Sequence, residues 1–165
     1  MEERERLTQQ IRELLEGGQE RRLTDLVEEL HPADLASALR ELPRDDQVRV
    51  FRLLPSQLAG DVLSELDDAI QRDLVRSLDE AEVSRILDTM PSDHVVEVVE
   101  ELPREDAEKI LDLMEEEKSE EVQELLEYEE GTAGRLMSPR FVAVSEHTTV
   151  AQAIEHIRKA ASGDA

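Results

Sequence analysis

Carboxylates are the side chains of this sequence best suited to chemistry, and a few stand at a useful spacing. Asp93 and Glu97 are four residues apart, so on a helix both would leave the same face. Asp61 lies in an earlier segment, beside the apolar pair Val62 and Leu63. Carboxylates with water suit Mg²⁺ or Ca²⁺. These acids are therefore candidate cation ligands, although the pattern equally fits a helix N-terminus complemented by Asp93 and otherwise solvated acids.

Other kinds of chemistry have little support. The absence of cysteine excludes disulfides, thiolate zinc sites and cysteine catalysis. The sequence has no HExxH, no Gly-rich phosphate loop, no GxSxG and no DxDxDG calcium loop. The histidines fall in separate segments, at His31, His94, His147 and His156. We therefore expect a protein that is not an enzyme.

The charge balance limits the possible partners. With 42 acidic and 19 basic residues the formal net charge is −23, which argues against nucleic acid or an anionic membrane surface. Cations or basic surfaces fit better, and a solvated helical exterior remains the alternative. No apolar run is long enough to cross a bilayer and no signal peptide is present, so we expect no direct membrane insertion or export.

A short repeat between Gly18 and Met114 would position the acids. A leucine or methionine, called the marker here, recurs at every twelfth position: Leu30, Leu42, Leu54, Leu66, Leu78, Met90, Leu102 and Met114. The positions three and four before each marker are apolar in all eight units, and the position seven before it is apolar in six, Gln47 and Gln71 being the exceptions. This spacing describes one face of a short helix.

A single long helix does not fit this pattern. Twelve residues at about 100° each would rotate the apolar stripe by roughly 120° per unit. Five prolines also follow the markers, where Asp67 and Asp79 otherwise stand as predicted N-caps, the latter with Glu82 at capping-box spacing. The sequence thus predicts an all-α superhelical solenoid of helices of eight to ten residues.

The two ends of the chain differ from the repeats. We expect a first helix over Glu2–Glu16, stopped by Gly17-Gly18, and a last one over residues 119–128 with Tyr128 packing at its end. The predicted domains are 1–128 (acidic solenoid), 129–139 (connector) and 140–165 (an incomplete second domain). The last contains a predicted strand at Phe141–Val144 and a helix that is capped by Thr148 or Thr149 and ends near Ser162-Gly163. Val150, Ala153, Ile154 and Ile157 lie on one face of that helix.

The connector resembles a known junction. Its sequence over residues 128–139 reads YEEGTAGRLMSP, and the run FVAV follows at residues 141–144. Together they are similar to the join between the N-terminal helical domain and the first CBS (cystathionine-β-synthase) domain of MgtE-type magnesium transporters. The segment LHPADL at residues 30–35 and the Leu-Pro repeats also resemble that family's N-domain. The solenoid alone is less specific, since rotor-switch proteins have similar repeats.

The resemblance implies a cytosolic Mg²⁺-sensing regulatory domain of a homodimeric, multi-pass magnesium transporter or channel. In that family Mg²⁺ bridges acidic faces of the N-domain, the CBS domains and a connecting helix, which favours the closed pore. The implied partners are therefore the remaining CBS domains, the connecting helix and the transmembrane pore, on the cytoplasmic side of the cell membrane. The implied Mg²⁺ ligands are Asp61, Asp93 and Glu97, with His94 an ordinary surface residue.

Two other functions stay open. An acidic interaction solenoid, similar to rotor-switch or scaffold proteins, would dock a basic partner in a salt-sensitive way without specific metal sensing. A CBS-type nucleotide sensor is the third possibility. We expect no adenine nucleotide binding by this chain, because a CBS domain needs more residues than follow Pro139.

Overall fold

Eleven α-helices form the regular secondary structure of the residues that the computed structural model describes, which are 2–129, 131–135, 137 and 141–161. The first matches the predicted bounds, and α2–α9 occupy the eight repeats at the predicted length of eight to ten residues. The helices are α1 (Glu2–Glu16), α2 (Glu20–Glu28), α3 (Pro32–Arg40), α4 (Arg44–Phe51), α5 (Ser56–Ser64), α6 (Asp68–Val75), α7 (Glu80–Leu87), α8 (Ser92–Glu100), α9 (Arg104–Leu113), α10 (Glu116–Leu126) and α11 (Val150–Ala161).

Local sequence signals set the helix ends. Gly18, at φ 61°, closes α1 in a Schellman motif, in which the N–H of Gln19 donates to the carbonyl of Leu14. Pro32 is the first residue of α3, and its neighbour His31 caps that helix by accepting from the N–H of Ala33 at 3.3 Å. The other repeat prolines sit one residue before their helices, at Pro43, Pro55, Pro91 and Pro103.

The two predicted aspartate caps behave differently. Asp79 forms the expected capping box with Glu82, its carboxylate accepting from the N–H of Glu82 at 2.7 Å. Asp67 occupies the N-cap position of α6 but makes no capping hydrogen bond. Its carboxylate instead accepts from Nε of Arg40 at 2.9 Å, so the predicted N-cap position is confirmed but the side chain does not cap the helix.

Helices two apart in the chain pack side by side. On one side α1 contacts α3, α3 contacts α5, α5 contacts α7 and α7 contacts α9, while α4 contacts α6 and α8 contacts α10 on the other. The markers alternate accordingly: Leu42, Leu66, Met90 and Met114 are buried, whereas those between them are only partly so. The structural unit is therefore a pair of successive helices, two sequence repeats long, stacked as in other helical repeats.

The two glutamines that interrupt the apolar pattern keep a core position. Gln47 is 8% exposed, and its Nε2 donates to the carbonyl of Leu39 at 2.8 Å. Gln71 makes the equivalent bond to the carbonyl of Leu63 at 3.2 Å, one two-helix unit later. Each amide thus satisfies a carbonyl near the end of the preceding helix, which explains why a polar residue is tolerated there.

The last solenoid helix begins earlier than predicted. It spans Glu116–Leu126 rather than 119–128, because its start is fixed by contacts with the preceding unit. The N–H of Glu115 donates to Oδ1 of Asp88 at 3.1 Å. Lys118, 5% exposed, donates from Nζ to the carbonyl of Met90 at 2.5 Å and to Oγ of Ser92 at 2.9 Å.

The predicted strand is absent from the described residues. Residues 141–145 have no regular structure, and Phe141, Val142 and Val144 are 80%, 47% and 47% exposed. A β-prone run needs a partner strand for its backbone hydrogen bonds, and the described part of the chain offers none. The helix that follows was predicted correctly, with Thr149 as its cap accepting from the N–H of Gln152 at 3.4 Å. Its predicted end near Ser162-Gly163 lies outside the described residues.

None of the described helices combines the length and the apolar composition needed to cross a bilayer.

Candidate functional site

Helix α8 carries the candidate site on its outward face. Its inward face is fully apolar apart from Ser92, with Val95, Val98 and Val99 buried against the core. The outward face presents Asp93, Glu97 and Glu100, at i, i+4 and i+7. Asp93 lies in the first turn, where the helix dipole favours a negative charge. The buried valines thus orient a stripe of three carboxylates away from the core.

Two clefts border this stripe. The first, about 510 Å³, lies between α8 and the turn after α10, and is lined by Asp93, His94, Val96, Glu97, Glu100, Gly131 and Arg135. The second, about 690 Å³, separates α8 from the end of α5 and from α6, and is lined by Ser64, Leu66, Asp68, Gln71, His94, Glu97, Glu100 and Glu101. Glu97 and Glu100 therefore border both clefts, whereas Asp93 lines only the first.

One oxygen in the first cleft lacks a partner. Oδ1 of Asp93 is buried and has no hydrogen-bond partner among the described residues. Removing a carboxylate oxygen from water without a compensating partner is costly, so such an atom calls for an explanation. A cation held in the cleft beside Glu97 would supply the missing interaction, and carboxylate oxygen is the ligand that Mg²⁺ prefers.

The site is open rather than closed. Among the residues that the structure describes, no group of three His, Cys, Asp or Glu side chains is placed to hold a metal ion together. The carboxylates present nevertheless fit Mg²⁺, because that ion keeps several waters and often takes only one or two carboxylates. Any further protein ligand would come from a surface facing α8.

Asp61 lies on α5, whereas the other two predicted ligands lie on α8. It is exposed on α5, where Nε2 of Gln57 donates to its Oδ1 at 3.4 Å. It lines neither of the clefts that border α8. The structure therefore places Asp93 and Glu97 on one face of α8 and leaves Asp61 outside the lining of both clefts.

Three neighbours of the site escaped the sequence reasoning. His94 is half-buried rather than an ordinary surface residue, with Nδ1 3.2 Å from Oγ of Ser64. Glu100 had a usable signal, because it lies seven residues after Asp93 and so continues the same helical stripe. Arg135 had none, since it follows the solenoid and reaches α8 only through the fold.

The pairing of charges differs between the clefts. In the second cleft Glu101 is bound by Arg72, whose Nη1 lies 2.6 Å from Oε2. In the first cleft Arg135 contacts Glu100, whereas no salt bridge is formed by Asp93 or Glu97 within the described residues. These two carboxylates are thus the ones on α8 that no basic side chain of the described residues neutralises.

The chain is similar to known proteins in both sequence and fold. Residues 30–131 match a family model described as the MgtE intracellular N domain. The fold is similar to the crystal structure of the soluble part of a magnesium transporter, with a TM-score of 0.83 and 23% identity over 96% of this chain and 63% of that one. It is also similar to the cytosolic domain of the Mg²⁺ channel MgtE in complex with ATP, with a TM-score of 0.83 and 32% identity over 94% of this chain and 64% of that one. No curated protein matches.

These likenesses differ in what they establish. The structure at 23% identity supports the fold alone, whereas the family model covers most of the solenoid. Both the predicted helical architecture and the predicted resemblance are confirmed. The chain spans slightly less than two thirds of either solved structure, at 63% and 64% of their lengths.

Proposed function

The chain belongs to the family of the MgtE intracellular N domain, and we propose that it is the Mg²⁺-sensing regulatory domain of a magnesium transporter or channel. The family is defined as intracellular, in agreement with the predicted cytoplasmic location. Its relative at 32% identity is the cytosolic domain of a Mg²⁺ channel. Beyond its membership of the family, the domain would sense the ion that the transporter carries.

The observation that carries the proposal is the buried, unpartnered Oδ1 of Asp93 beside Glu97. An anionic oxygen without a partner strains the fold until a cation approaches it. Asp93 and Glu97 would hold the ion, which would supply the positive charge that neither carboxylate receives from a basic side chain among the described residues. Carboxylates with retained water favour Mg²⁺ over Zn²⁺ or Cu²⁺, which prefer imidazole or thiolate ligands.

The openness of the site supports an ion that bridges two surfaces. Because the described residues supply no closed set of three metal-binding side chains, the remaining ligands would come from facing parts of the same transporter. We propose the CBS domains and the connecting helix as those partners, in a homodimer whose pore closes when they approach. The exposed Asp61 of α5 would be a further carboxylate available to such a facing surface.

The charge of the domain makes such a response favourable. At a net charge of −23 the approach of further acidic surfaces is opposed by repulsion unless cations intervene. An ion that binds only the compact arrangement stabilises it by RT ln(1 + [L]/Kd), or about 2.7 kcal/mol at a concentration 100 times the Kd. That energy is enough to move a balanced equilibrium almost entirely to one side.

The test is small-angle scattering of this chain joined to the rest of its cytosolic part, across a MgCl₂ titration. An NaCl series of equal ionic strength is the control for simple screening. We expect the radius of gyration to fall with Mg²⁺ and not with matched Na⁺. Asp93→Asn and Glu97→Gln should weaken the response, whereas the same changes at two exposed acids of neighbouring helices, Asp112→Asn and Glu124→Gln, should not.

Two results would count against the proposal. If Na⁺ compacts the protein as effectively as Mg²⁺, the acidic surface responds to ionic strength alone. That outcome would favour the alternative of an acidic interaction solenoid that docks a basic partner. If the Asp93 and Glu97 variants respond as the wild type does, Mg²⁺ acts elsewhere on the protein.

A further inference from the structure

The chain leaves the solenoid through an ordered turn, formed by residues 128–129 and 131–135 and named here the exit turn. Gly131 adopts φ 79°, a conformation that residues with a side chain rarely take. Oγ1 of Thr132 donates to the carbonyl of Glu129 at 2.7 Å, and the N–H of Arg135 donates to the carbonyl of Thr132 at 3.2 Å. Local hydrogen bonds therefore stabilise the turn independently of its contacts with the helices.

The ring of Tyr128 covers the exit turn at Gly134. A Cβ built on Gly134 would overlap the ring, so only glycine allows the backbone to pass this close. This contact explains why an aromatic residue and a glycine occur at these two positions of the connector motif. It also fixes the path of the backbone that leads to Arg135.

Arg135 joins the exit turn to two helices at once. Its side chain is only 9% exposed, although arginine is seldom buried without a partner. Nη1 donates to the carbonyl of Leu125 in the last turn of α10 at 2.6 Å, and Nη2 contacts the carboxylate of Glu100 at the end of α8. One guanidinium thus serves as a C-terminal cap for α10 and as an ion pair with α8.

We propose that Arg135 is a latch that holds the exit turn rigidly to the ends of α8 and α10. The fork of the guanidinium suits this role, since it can donate to two acceptors in fixed directions. With the latch closed, residue 135 moves together with α8, the helix that carries Asp93 and Glu97. With the latch open, the turn would keep only its local hydrogen bonds and the Tyr128 contact, and the chain beyond it would pivot freely.

The orientation of the following segment then depends on the two contacts of a single side chain, Arg135. Glu100 lies 35 residues before Arg135, so the contact closes a long loop that no local hydrogen bond secures. This latch does not rest on the proposed Mg²⁺ sensing, because all its contacts are made between residues of the chain itself.

The test is amide hydrogen exchange of the protein with its full cytosolic part, in buffer without divalent cations. The informative amides are those of Tyr128, Thr132 and Arg135, each of which donates to a backbone carbonyl. We expect Arg135→Gln and Glu100→Gln each to speed their exchange by tenfold or more. The double variant should exchange no faster than Arg135→Gln alone, since that change already removes both the ion pair with Glu100 and the bond to the carbonyl of Leu125. Arg135→Lys should give an intermediate rate, because an ammonium lacks the planar fork.

Arg104→Gln is the matched control. Arg104 pairs with Glu108 on the exposed surface of α9 at 2.7 Å, which raises the pKa of its guanidinium, and it is remote in sequence from the exit turn. It should leave the three amides unchanged. If Arg135→Gln also speeds exchange throughout α8 and α10, the helices have opened, and Glu100→Gln decides alone. Exchange within twofold of the wild type in Glu100→Gln would overturn the proposal.

Discussion

Replacing Lys118 by methionine tests how the last repeat is attached to the solenoid. The ammonium of Lys118 is 5% exposed and donates to the carbonyl of Met90 and to Oγ of Ser92. Oγ of Ser92 in turn lies 2.5 Å from Oε2 of Glu121. The network therefore links α10 to the start of α8 through the ammonium of Lys118 and the carboxylate of Glu121.

The expected loss of stability follows from the two hydrogen bonds that Lys118 makes. A hydrogen bond to a charged group contributes about 1.5–3 kcal/mol, so two of them contribute roughly 3–6 kcal/mol. Removing the buried ammonium also relieves its own desolvation cost, which offsets part of this sum. Methionine keeps most of the side-chain volume, so no large cavity forms. We therefore expect Lys118→Met to lower the free energy of unfolding by about 2–4 kcal/mol.

Urea denaturation followed by far-UV circular dichroism would measure this change, with the m-value as a check that the transition remains comparable. Lys109→Met is the matched control, because Lys109 is half-exposed and pairs with Glu105 at 3.1 Å on the surface of α9. It should change stability by less than about 0.5 kcal/mol. A loss of equal size in both variants, or none in Lys118→Met, would refute the reasoning that the buried network holds α10.

Three further predictions concern a close helix contact, a helix cap and the charge beside the first cleft. Gly60→Ala places a Cβ 2.6 Å from Oγ1 of Thr89, where α5 packs against the end of α7. This overlap should lower the free energy of unfolding by about 1 kcal/mol in urea titrations, although alanine has the higher helix propensity. A gain in stability would contradict the close packing. Asp79→Ala should cost about 1 kcal/mol in the same assay through the lost capping box, and Asp67→Ala, which removes no cap, should cost less. Arg135→Gln should tighten Mg²⁺ binding about fourfold in calorimetric titrations, since removing a positive charge on the order of 10 Å away saves about 0.8 kcal/mol in water-like surroundings. Unchanged or weaker binding would place the ion away from the first cleft.

The solenoid could be predicted because each of its helices is specified locally. The apolar spacing within one repeat, the prolines after the markers and the Asp79 capping box all act over less than one unit. The larger two-helix unit was missed, because alternate markers such as Leu42 and Leu54 are both leucine and differ only in how deeply they are buried. A strand at residues 141–144 was predicted wrongly for the opposite reason, since a strand depends on a partner that local sequence cannot supply.

The candidate site was only partly accessible to the same reasoning. Asp93 and Glu97 share a helix, so their spacing alone placed them on one face. The assignment of Asp61 rested on the family resemblance, and its participation in metal binding stays a prediction. Arg135 and Lys118 could not be found from any pattern. The acceptors of Arg135 lie 10 and 35 residues earlier and those of Lys118 lie 26 and 28 residues earlier, and both sets include a backbone carbonyl. Contacts of that range depend on how successive units stack.

The stacking also determines how far an event at α8 can be felt. In a repeat protein each unit contacts mainly its neighbours, so a charge bound at Asp93 acts first on the adjacent helices and on the exit turn. Here α8 packs on α10, and Glu100 of α8 holds Arg135. A cation held by Asp93 and Glu97 in the first cleft would thus lie one to two helical turns from Glu100, the α8 side of the latch that fixes the departing chain. The N-terminal helices, α1–α4, need not change for the proposed latch to open and redirect the connector.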